Sequence, residues 1–145
     1  MEEKAYAVVR LRGTARMNRN ARCTVEKLGL TRANSCIIVP ASTNYMGMLR
    51  SAQDFVTWGG IREEVIEKMI EKRGRSVAGG RIDAKHAKSL AKKIMKEKTL
   101  KSSGIKPVFR LSPPSGGLKS VRLQYPRGDM GPRGETINEL LLRMI

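Results

Sequence analysis

Arg10, Arg12, Arg16, Arg19, Arg22 and Arg32 crowd the opening of this chain. A guanidinium is planar, permanently charged and armed with five N–H donors, so it grips pairs of phosphate oxygens and stacks on exposed flat rings. Several of these arginines lie near the start of an expected helix, an end that itself attracts phosphate. A second constellation, Asn44-Tyr45-Met46-Gly47-Met48, sets a glycine where a bulkier side chain would hold a polymer away. Tyr45 stands beside it for stacking and Arg50 one turn later. Arg110, and then Lys119, Arg122, Arg127 and Arg133 in a Gly/Pro-rich stretch, complete the set of candidate contacts.

Catalytic chemistry has little to work with. His86 is the only histidine, no carboxylate pair stands outside charged helix surfaces, and Gly13-Thr14 lacks the glycine spacing of a phosphate loop. Cys23 and Cys36 have no second pair, so they form neither a disulfide framework nor a four-ligand zinc site and read as unpaired thiols. No catalytic residue, metal or cofactor is expected.

The charge of the whole chain points the same way as its arginines. A formal net charge of +16 on 145 residues, from 29 Lys/Arg against 13 Asp/Glu, repels itself in a compact fold and implies a polyanionic partner. With 40% hydrophobic residues the chain is no disordered basic arm, and with only 4% aromatics its core must be aliphatic. The start Met1-Glu2-Glu3-Lys4 lacks the basic and apolar regions of a signal peptide, and no apolar run approaches a membrane span. An intracellular protein is the expectation. Duplex DNA and RNA both remain candidate partners, because phosphate contacts dominate affinity for either.

These side chains need elements to hold them. Ala5 to Thr14 reads as a strand with a basic outer end. A helix opening at Arg16 puts Met17, Ala21, Val25 and Leu28 on one face, and Gly29 stops it. Ser35 to Val39 reads as a buried strand closed by Pro40, and Thr43 or Asn44 caps a second helix. After Trp58-Gly59-Gly60, the stripe Ile61, Val65, Ile66, Met69 and Ile70 marks the clearest helix, with Lys72 and Arg73 in its last turn. Trp58 is expected to pack beneath the helices that follow it. Asp83 caps a Lys-rich helix that leaves Lys85, Lys88, Lys92, Lys93 and Lys96 outside, and Lys106 to Leu111 reads as the third strand. Residues 115 to 134 read as an extended segment tethered by a last amphipathic helix, Thr136 to Met144. That C-terminal part, 115 to 145, is expected to be separable from a core that folds without it.

The stretch KLGLTRANSCIIVPASTNYMGMLRSAQDFVTWGGI, with AYAVVRLRGT before it and GIKPVFRLSPPSGG and RGETINELLLRMI after it, resembles the L30 family of large-subunit ribosomal proteins in its archaeal form, whose eukaryotic relatives are L7-type. The resemblance runs over nearly the whole chain. It implies an α+β fold with a β-α-β-α-β core, a three-stranded antiparallel sheet in the order 3-1-2, and two helices on one face in a ferredoxin-like arrangement. It further implies a single domain over 1–145, a helical insertion at about 57–104 before the third strand, and a C-terminal extension at about 112–145. The role it implies is structural: a component of the large subunit in the cytoplasmic ribosome, bound to 23S-type rRNA near 5S rRNA and beside other ribosomal proteins. By that pattern the helix start at Asn44 is an rRNA contact. A chromatin-type DNA-binding protein is the alternative.

Overall fold

The computed structural model describes residues 5–97 and 104–145. The N-terminal tetrapeptide and the last residues of the expected insertion, 98–103, lie outside the described residues. Five strands form one mixed sheet: β1 (Ala5–Arg10), β2 (Ser35–Pro40), β3 (Val56–Gly60), β4 (Phe109–Arg110) and β5 (Gly131–Pro132). Among the described residues, five α-helices accompany them: α1 (Arg19–Lys27), α2 (Thr43–Ser51), α3 (Glu63–Arg73), α4 (Ala84–Glu97) and α5 (Ile137–Met144). The strand order is β4-β2-β1-β3-β5. β1 pairs antiparallel with β2 and β3, β4 pairs antiparallel with β2, and β5 runs parallel to β3.

Alternation along the strands divides the core into two layers. Val8, Ile37, Val39, Val56 and Trp58 point to one face, against Val25 and Leu28 around α1 and Leu49 and Ala52 around α2. Ala7, Val9, Cys36 and Ile38 point to the other, against apolar stripes of α3, α4 and α5. Because both faces are covered, β1 reads as a nearly continuous apolar run rather than an alternating one. Trp58 is buried, but on the α1/α2 side and not beneath the helices that follow it.

The third strand is a correction. Val56–Gly60, overlapping the start of the expected helical insertion at about 57–104, pairs with β1 from Tyr6↔Gly60 to Arg10↔Val56. The stretch from Lys106 supplies only the two-residue β4, which meets Ser35 and Cys36. Pro107 has no N–H to give a ladder, and Pro113-Pro114 follow soon after, so pairing there is short. Gly59 and Gly60 look like breakers in the sequence. In the fold, a Cβ on Gly59 would lie 1.9 Å from the Gly134 carbonyl oxygen, so a glycine is what lets the chain pass there. The antiparallel order 3-1-2 therefore describes β3-β1-β2 at the centre, inside a larger mixed sheet.

Helix ends follow local chemistry. α1 begins three residues later than the sequence suggested, because Asn18 Oδ1 accepts from the Ala21 N–H at 2.7 Å while Arg16 takes a left-handed φ of 59°. Ser42, rather than Thr43 or Asn44, caps α2 by accepting from the Tyr45 N–H. Gly29, at φ 80°, turns the chain after α1, and the Leu30 N–H reaches back to the Val25 carbonyl.

The C-terminal segment is not separable. Ile137, Leu140, Leu141 and Met144 of α5 are all within 1% of full burial and belong to the main core. At roughly 1.5–3 kcal/mol for each such side chain, their loss would remove about 6–12 kcal/mol, comparable to the stability of a typical domain. Asn138 pins the same helix to the exit of β3, donating to the Gly60 carbonyl at 3.1 Å and accepting from the Arg62 N–H at 2.9 Å.

Two glycine substitutions should act with opposite sign. Gly59→Ala is expected to lower stability by about 1–3 kcal/mol, because backbone must move to admit the methyl. Gly47→Ala sits on an open helix surface with nothing within 4 Å of the new carbon. It should raise stability by about 0.5–1 kcal/mol. Urea unfolding midpoints of the free protein measure both.

Candidate nucleic-acid interface

β1 ends and α1 begins where the arginines cluster, and the structure sorts them by environment. Arg16, Arg19, Arg22 and Arg32 are exposed, and none of their side chains makes a hydrogen bond or ion pair among the described residues. The first turn of α1 contains no acidic residue to compete for them. Arg12 is half-buried: its guanidinium lies 4.9 Å from the Phe55 ring centroid and donates to the Asp54 carbonyl at 3.2 Å, which leaves part of its fork outward.

Arg10 departs from the sequence reading. It is 2% exposed, on the same face as Tyr6 and Val8, and its guanidinium donates to the Leu30 carbonyl at 2.7 Å and the Arg12 carbonyl at 2.8 Å. Burial lowers its pKa from the usual arginine value. This arginine ties the loop after α1 to the end of β1 and presents nothing to a surface partner. Strand alternation outward from Val9 and Leu11 suggested a solvent face, but that face is covered by α1 and α2.

On α2, Asn44, Gly47 and Arg50 are exposed, whereas Tyr45 is half-buried and packed against the core beneath it. Arg110 is exposed on the edge strand β4, and Lys119, Arg122 and Arg127 are exposed along the Gly/Pro-rich segment. Arg133 is the second departure. It is 7% exposed, paired to Asp129 Oδ1 at 2.7 Å, and lies 5.2 Å from the Tyr125 ring centroid.

Asp129 organises this segment, and the sequence reading passed over it. Its carboxylate accepts from the backbone N–H of Lys119 at 2.5 Å and of Ser120 at 3.3 Å, while its own N–H donates to the Ser120 carbonyl at 2.9 Å. A lone acid among cations and glycines is the one signal that would have found it. Residues 115–134 thus form a folded loop, held from within by Asp129 and joined to the sheet through β5.

The remaining polar candidates sit apart. His86 and the α4 lysines are exposed, Cys23 is exposed and Cys36 is buried. Among the described residues, no group of three His, Cys, Asp or Glu side chains is placed to hold a metal ion, and no helix is long and apolar enough to cross a membrane.

A sheet sealed on both faces beneath a coat of unpaired arginines defines the class: an α+β protein built to present positive charge. Residues 6–56 match the family described as ribosomal protein L30p/L7e. Over nearly its full length the chain is similar to large ribosomal subunit proteins uL30. The identity is 36% with that of Methanosphaera stadtmanae, over 97% of this chain and 99% of the relative. It is 38% with that of Ignicoccus hospitalis, over 100% of both, and 35% with that of Archaeoglobus fulgidus, over 96% and 99%. The chain belongs to the uL30 family of ribosomal proteins.

Two substitution-scale outcomes follow from the buried groups. Asp129→Ala strands the Arg133 guanidinium in the interior and should cost about 3–5 kcal/mol in urea unfolding, with faster proteolysis between 115 and 134. Burial pushes the Cys36 thiol from 9.0 up to about 12. A disulfide reagent at mildly alkaline pH should therefore titrate Cys23 alone in the folded protein and both thiols after denaturation. Because the folded state keeps the Cys36 proton, its contribution to stability is present below the unfolded pKa and is lost as pH climbs from about 9 towards 12.

Proposed function

We propose that this chain is a structural constituent of the large ribosomal subunit that holds 23S-type rRNA through exposed arginines and performs no catalysis. The single observation that carries this reading is full-length similarity to uL30 proteins, complete in both chains for the Ignicoccus hospitalis relative. The unpaired arginines supply a physical means. Each guanidinium that neutralises a phosphate releases condensed counterions, so many modest contacts add up to firm, salt-sensitive binding.

The contact set proposed is Arg12, Arg16, Arg19, Arg22 and Arg32 around α1, Asn44, Tyr45, Gly47 and Arg50 on α2, and Arg110, Lys119, Arg122 and Arg127 toward the C-terminus. Arg10 and Arg133 serve the fold instead. 5S rRNA and neighbouring ribosomal proteins are the further partners this reading expects, within the cytoplasmic ribosome. The family match spans β1 to the first residue of β3. That span supports a β1-α1-β2-α2-β3 nucleus within one domain, to which α3, α4 and the C-terminal part are added. No observation favours duplex DNA over RNA as the partner.

Arg19→Ala combined with Arg22→Ala should weaken binding to large-subunit rRNA fragments while leaving circular dichroism unchanged. The slope of log affinity against log salt should fall by about 1.5, the value for two lost phosphate contacts. An unchanged slope removes α1 from the interface. Equal competition by duplex DNA at near-physiological salt would overturn the assignment to RNA.

A further inference from the structure

A cleft of about 730 Å³ opens between the end of α3, the loop after α1 and the edge strand β4. Its walls bring together cations that are far apart in the chain: Lys72 and Arg73 from the last turn of α3, Arg75 just beyond it, Arg81 across the following turn, and Arg32, Lys106 and Arg110. No carboxylate and no aromatic ring lines it. Arg73 donates to the Ser112 hydroxyl, and the other six side chains make no hydrogen bond or ion pair among the described residues.

The backbone beneath these cations is pinned. The Lys106 N–H donates to the Arg75 carbonyl at 2.9 Å, Arg75 bridges to Arg81, and Ser76 bridges to Ile105. So many like charges facing one space repel one another, and no carboxylate in the lining relieves them. Pockets for small organic ligands are mostly apolar with a few polar groups. This one has the opposite composition, and without aromatic rings it has no stacking platform other than the guanidinium planes. Its chemistry suits a chain of phosphates.

We propose that this cleft is an RNA-backbone site, gripping consecutive phosphates of a large-subunit rRNA strand through Arg75, Arg81 and Lys106, which join Arg32 and Arg110 of the contact set above. The inference rests on the ribosomal reading for its choice of polyanion. It extends the RNA contact from α1 and α2, past the loop after α1, to the place where α3 meets the sheet edge.

The test uses the full chain carrying Arg75→Gln, Arg81→Gln and Lys106→Gln together, beside a matched control with Lys85→Gln, Lys88→Gln and Lys92→Gln on α4. The cleft variant should bind large-subunit rRNA with a salt slope reduced by about 2, as three lost contacts require. It should also lose a discrete set of hydroxyl-radical protections on the RNA, different from those lost with Arg19→Ala and Arg22→Ala. An unchanged slope and footprint, or an equal loss in the α4 control, overturns the cleft assignment and leaves the ribosomal reading standing. Failure of the unmodified chain to bind rRNA would sink that reading and this one with it. Saturable ATP binding that is abolished in the cleft variant, with the rRNA slope intact, would assign the cleft to a free nucleotide and overturn the RNA proposal.

Discussion

Both faces of the sheet are covered, α1 and α2 on one side and α3, α4 and α5 on the other, and this leaves the interior no room for unpaired charge. Burying an isolated cation in such a place is costly unless it is paired or fully hydrogen-bonded. Among the described residues, every Lys and Arg side chain except Arg10 and Arg133 is therefore kept out of the buried core by the same apolar contacts that hold the fold together. Positive charge on the surface is a consequence of the core as much as of composition.

Arg10 and Arg133 show what an inward cation requires. Arg10 is satisfied by two carbonyls, so it becomes a staple between β1 and the loop that follows α1. Arg133 has Asp129 and the face of Tyr125. The same carboxylate gathers backbone N–H groups from Lys119 and Ser120, and so converts a glycine-rich stretch with few apolar anchors into a defined loop. Charge inside this molecule organises loops, and the exposed guanidinium groups of Arg16, Arg19, Arg22 and Arg32 are left available.

That availability has a thermodynamic side. Like charges on a small surface destabilise the compact state, and a polyanion that binds only the folded chain reverses the effect. The free domain is thus held by its aliphatic core against its own surface, and a bound phosphate chain relieves that repulsion rather than creating the fold.

The helices were legible in the residue order because their signals are local. Apolar spacing located the helices, Gly29 marked the end of α1, and the excess of cations over acids needed only counting. Family membership was legible for a similar reason, since it rests on several short motifs kept in one order. Strand identity was not. Val56–Gly60 contains two glycines and becomes a strand only because β1 lies beside it, while the more strand-like stretch after Lys106 finds just two partners. The fate of each arginine was likewise decided in three dimensions: which helix covers the Arg10 face, which acid meets Arg133, and which distant cations converge beside Arg32. Side-chain type and spacing are written along the chain, but burial and pairing depend on neighbours dozens of residues away, and only folding brings those into contact.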